Sequence, residues 1–203
     1  MRERGELPDG RGYGVYEVMG QPVRVLDSFS SAMRCSKALE DRVLGHCGLI
    51  EVLLGLLACD PEGFCSKFGT RTTQALVSVM EQAFGWDFGG DAEGGDAEGG
   101  GVIDWDADEA RVRVTMRMAY GLGREFERLP YREVVDLVFM APADTPMGRA
   151  VYYRVAEPPE DSEAREEFER MREHYALGDV GEGRDNEAAT GMFESMRSMA
   201  DGS

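Results

Sequence analysis

A mainly α-helical fold with a small N-terminal β-hairpin is what the sequence predicts, and three observations carry that expectation. Apolar residues recur at helical spacing in successive segments between residues 28 and 177. One early stretch, Tyr13–Leu26, instead holds two short runs rich in valine and tyrosine. Between the helical segments lies GGDAEGGDAEGGG at 89–101, a tandem repeat with nothing larger than alanine to bury. Glycine loses the most backbone freedom on ordering, and burial here cannot offset that loss, so the repeat reads as a flexible acidic linker. The expected organisation is a flexible arm over 1–12 and a single compact helical domain over 13–178. A disordered linker at 88–101 interrupts that domain, and an acidic, largely disordered tail covers 179–203.

In chain order, Val15, Val18, Val23 and Val25 form the hairpin, with Gly20 at its turn and Pro22 marking an edge. Asp27 and Ser28 offer cap oxygens for a helix over about 28–41. A second helix over 43–58 is apolar nearly all round, with Val43, Leu44, Leu49, Ile50, Val52, Leu53, Leu54, Leu56 and Leu57, and is expected at the buried centre. Asp60-Pro61-Glu62-Gly63 reads as a stop and turn. A third helix runs from Thr70 or Thr72 to about Gly85. Residues 111–118, RVRVTMRM, alternate as a half-buried strand would, yet acids crowd the front and Gly121 stands where a helix C-cap falls. Periodicity alone leaves strand and helix level. Beyond it, Leu129-Pro130-Tyr131 opens a helix to Ala141, and Asp144 or Thr145 caps the next. Asp161 or Ser162 starts an exposed acidic helix with apolar positions Phe168, Met171, Tyr175 and Leu177.

The chain has 203 residues and a net charge of −17, with 42% hydrophobic residues and a pI near 4.5. That charge opposes binding to phosphates or anionic lipid, so neither nucleic acid nor membrane is an expected partner. It is uneven: from Glu157 onward 14 acids face 5 arginines, more than half of the total. The longest apolar run, LIEVLLGLLAC, is too short to span a bilayer, and MRERGELPDGRGYG has no secretory h-region. A cytoplasmic location is expected.

Chemistry-bearing motifs are sparse. His46 precedes Cys47, which admits a Cys–His nucleophile, but a helix-start histidine beside a core cysteine is the preferred reading. Cys35, Cys47 and Cys59 read as small core residues, and no CxxC pair exists. Asp91, Asp96, Asp104, Asp106 and Asp108 are oxygen donors without the regular calcium-loop spacing. No G-x-S-x-G elbow occurs. No catalytic residue, cofactor or metal site is therefore expected. Among the 12 methionines two groups stand out. Met33, Met80, Met116, Met118, Met140 and Met147 read as core fillers. Phe168, Met171, Tyr175, Met192, Phe193 and Met196 are the candidate partner-binding residues, as soft apolar anchors on an acidic tether. A purely solubilising tail is the competing reading.

Taken in order, PVRVLDSFSSAM, LIEVLLGLLACDP, DWDADEARVRVTMRMAYGLG and LPYREVVDLVFMAPADTPMGRAVYYR, closed by an acidic helix ending in Tyr-Ala-Leu, resemble a known family. They are similar to the tail assembly chaperones of long-tailed bacteriophages, encoded just before the tape-measure protein. The resemblance covers roughly residues 13–178 and tips 106–120 toward helix. It implies a non-catalytic protein that binds the tape-measure protein, keeps it soluble and promotes assembly of the tail tube around it. The tail-tube protein and a second copy of the chain are further candidate partners. The implied location is the host cytoplasm, with no copy in the mature virion. The rival from another class is a phage-encoded regulatory or anti-defence protein whose acids mimic nucleic acid. It requires carboxylates arrayed on a rigid face.

Overall fold

The computed structural model describes residues 3–41, 43–86, 88 and 102–177. It is mainly helical with one small antiparallel sheet. The linker expected at 88–101, apart from Phe88, and the tail at 179–203 lie outside the described residues. Where the sequence suggests one domain, the contacts divide the chain into two compact units. The first holds the described residues up to 88 together with Glu127–Arg132, and the second holds 102–126 and 133–177.

In the first unit the sheet has three strands, not two. β1 (Arg4–Glu6) pairs with β2 (Gly12–Val18), which pairs with β3 (Gln21–Val25). Residues 4–6, expected in a loose arm, are drawn in by a side chain that composition hides. The Arg4 guanidinium donates to both carboxylate oxygens of buried Asp27, at 2.7 and 2.9 Å. Tyr16 Oη donates to the same carboxylate at 2.7 Å, and a Cβ at position 14 would lie 2.7 Å from it, so glycine is required there. Met19 and Gly20 both have positive φ and form the two-residue turn between β2 and β3. Alternation is regular, with Tyr16, Val18, Val23 and Val25 buried and Glu17 and Arg24 turned away.

The helices α1 (Phe29–Glu40) and α2 (His46–Leu57) follow. Ser28 caps α1 through the Ser31 amide. On α2, Leu49, Leu53, Leu54 and Leu57 are buried, each contributing roughly 1.5–3 kcal/mol. The DPEG segment, expected as a stop, instead opens helix α3 (Pro61–Phe68). Asp60 caps the Gly63 amide and Pro61 occupies the first turn, where its missing N–H costs nothing. Helix α4 (Thr72–Phe84) ends at Gly85 in the left-handed conformation. It meets the sheet through Gln82, which donates to the Glu17 carbonyl. Tyr131 closes this unit, its ring edge-on to Phe84 at 5.6 Å and stacked with Phe29 at 6.1 Å.

In the second unit RVRVTMRM is helical, within α5 (Glu109–Tyr120), and Gly121 terminates it in the left-handed conformation. Helix α6 (Tyr131–Phe139) begins in the first unit and continues in the second. Thr145 caps α7 (Pro146–Val155) and Asp161 caps α8 (Ser162–Tyr175). The core of this unit holds Val112, Met116, Val134, Val138, Met147 and Ala150. Helix α7 packs on both α5 and α8. Among the described residues no helix is long and apolar enough to cross a membrane.

Candidate partner-binding surfaces

Phe168, Met171 and Tyr175 share one stripe of α8, as their spacing of three and four requires. That stripe faces α7. Phe168 is only 5% exposed, with its ring 5.3 Å from Tyr153 and 6.0 Å from Tyr152. Tyr175 stacks on Tyr153 at 5.5 Å with the planes 3° apart. Met171 is half-buried. These side chains hold α8 to α7, which gives them an internal task. Met192, Phe193 and Met196 lie outside the described residues.

The α7–α8 pair is fixed further by an ion cluster with no counterpart among the sequence expectations. Asp108, wholly buried at the head of α5, accepts from Arg154 of α7 at 2.6 and 3.0 Å. The same guanidinium donates to the carbonyls of Tyr175 and Val102, each at 2.7 Å. Arg111 adds a third bond to Asp108 at 2.7 Å, and its guanidinium lies 5.6 Å from the centre of the Tyr175 ring. Burial alone raises the Asp108 pKa. The hydrogen bonds from Arg154 and Arg111 outweigh it, so the carboxyl sits below its ordinary value. Arg154 thus ties together α5, α7, the C-terminal end of α8 and the chain entering from residue 102.

Residues with potential chemistry are dispersed. His46 is half-buried at the start of α2, and its Nε2 has no hydrogen-bond partner among the described residues. Cys47 is exposed, which corrects its reading as a core residue. Consecutive helical positions diverge by about 100°, so the pair is not arranged as nucleophile and base. Cys35 does belong to the core, and burial raises its thiol to about 12, leaving little thiolate at neutral pH. Burial also raises the half-buried Cys59, the larger effect over nearby arginines that lower it. Asp104 accepts from the amides of Asp106 and Ala107, a side-chain-capped turn ahead of α5. Among the described residues no group of three His, Cys, Asp or Glu is placed to hold a metal ion.

What the second unit does present is apolar surface. Val114 and Met118 of α5, Phe139 and Met140 at the end of α6, and Tyr152 and Val155 of α7 are all exposed. Met118 and Met140, read from sequence as core fillers, are therefore surface residues, whereas Met80, Met116 and Met147 are fully buried. The signal for Met118 was present in RVRVTMRM. Alternation places apolar residues at every second position, and a helix that buries Val112 and Met116 must turn Val114 and Met118 outward. No protein-family model matches the chain, and neither a curated protein nor a solved structure matches it.

Proposed function

We propose that this protein is a tail assembly chaperone of a long-tailed bacteriophage. It binds the tape-measure protein without catalysis, keeps that apolar chain soluble and promotes assembly of the tail tube around it. It acts in the cytoplasm of the bacterial host and leaves no copy in the mature virion. The observation that carries this reading is the second unit's exposed apolar set, in which methionine and aromatic side chains stand in solvent on three successive helices. The motif order over residues 13–178 supplies the choice of partner. A nucleic-acid mimic draws less support. On α8 arginines are interspersed among the acids, and Arg170–Glu167 and Arg172–Glu169 pair at 3.7 Å, which breaks up an acid-only face.

The test is co-expression with the tape-measure protein that this reading assigns as the partner. A rise in the soluble fraction of that partner is expected. An unchanged soluble fraction, with the chaperone itself well expressed, overturns the reading.

A further inference from the structure

We infer that the outward face of α5 is a docking site for an acidic amphipathic helix. Residues of an α-helix advance by about 100° each, so burial of Val112, Thr115 and Met116 sets which side looks away from the unit. That side carries Ala110, Arg113, Val114, Arg117, Met118 and Gly121, all exposed. It resolves into two adjoining rows, Val114 with Met118 and Arg113 with Arg117, each with its members four residues apart. Met118 is 62% exposed and Val114 45%.

Charge selects the occupant. The chain as a whole carries −17, yet this face has two arginines and no acid. Arg113 pairs with Glu109, which lies at the rim, and Arg117 stands in solvent. An apolar row flanked by a cationic row fits a helix whose apolar stripe is bordered by Asp or Glu, packed side by side along α5. Electrostatic complementarity then sets both orientation and choice of partner. The site deepens the chaperone reading, on which it rests for its biological partner, a segment of the tape-measure protein. The binding chemistry is testable without that protein.

The probes are two stapled helical peptides, about five turns long, with the same leucine stripe. Glutamates flank the stripe in one and lysines in the other. Binding is measured to the full-length chain at low salt by fluorescence anisotropy. Net charge alone favours the lysine peptide, so preference for the glutamate peptide by about tenfold is the diagnostic result expected. Arg117→Glu should erase that preference, and the double variant V114S/M118S should weaken the glutamate peptide by about tenfold. These positions are exposed, and a circular dichroism melt verifies folding of each variant. Stronger binding of the lysine peptide overturns the proposal. So does glutamate-peptide binding that ignores both variants, or hydrogen-exchange protection of α5 in the free protein that vanishes on dilution or on removal of residues 179–203. The last two outcomes would assign the face to a second copy or to the chain's own tail. A positive peptide result with failed tape-measure co-expression would leave the site standing and remove only the chaperone assignment.

Discussion

Among the described residues each unit buries one aspartate against arginine, and the two pairs do different things. Asp27 in the first unit is 1% exposed, but its partner Arg4 is 40% exposed and comes from a three-residue edge strand. Asp108 in the second unit is fully buried, and its partner Arg154 is only 6% exposed. Arg4 clips a short strand to a sheet that already has its own core. Arg154 gives a buried carboxylate two of its bonds and satisfies two carbonyls from separate segments, so its loss would strand both carbonyls and leave Asp108 only Arg111 and the Asp104 amide. The lesson is that a buried acid's weight depends on how dry its partner is and how many chain segments that partner joins.

The largest expected effect follows from that difference. Arg154→Ala should destabilise the second unit by about 3 kcal/mol, because two carbonyls lose their donor and Asp108 keeps only Arg111 and the Asp104 amide. Urea unfolding followed by Trp105, with Trp86 replaced by Phe, reads this unit. Next in size is the acid response. The folded-state pKa of Asp108 lies below its ordinary 3.8, so its contribution is fully present above that pH and is lost as pH falls through the lower folded value. The Trp105 transition in wild type should therefore weaken toward acid below about pH 4, and R154A should flatten that dependence.

Smaller changes belong to the first unit. Arg4→Ala should cost about 1 kcal/mol, because water can reach part of the pair. Trp86 fluorescence, with Trp105 replaced by Phe, is the readout. A loss as large as that of R154A would break the comparison between the two aspartates. Smallest is a gain: Met19 has φ 49° in the two-residue turn, where asparagine is better suited. Met19→Asn should stabilise by about 0.5 kcal/mol, seen as a small rise in the midpoint on the same Trp86 reporter.

Elements whose signals are local could be read from the sequence. Ser28, Thr145 and Asp161 cap the helices they were expected to cap, Gly85 and Gly121 end α4 and α5, and the leucines of α2 form core. Long-range partners were hidden. Nothing near residue 4 announces that Arg4 will find Asp27, and β1 forms through that pairing. Asp108 and Arg154 are likewise far apart in the chain, and the acidic surroundings of Asp108 masked its selection for burial. The DPEG segment misled because Asp-Pro serves equally as a helix start and a turn. Phe168, Met171 and Tyr175 read from sequence as the apolar positions of an exposed helix, but amphipathicity does not reveal whether they meet another helix of the chain or an outside partner. RVRVTMRM held the better clue to exposed apolar surface, and its value appeared only once the segment was known to be helical.

The proposed function requires that this protein hold the tape-measure protein in a soluble complex. Size-exclusion chromatography with light scattering on the two co-expressed chains tests it most directly. Co-elution at a mass matching a complex of both chains is expected, with the complex reduced for V114S/M118S. A tape-measure protein that stays insoluble, or elutes apart from this chain, would contradict the account.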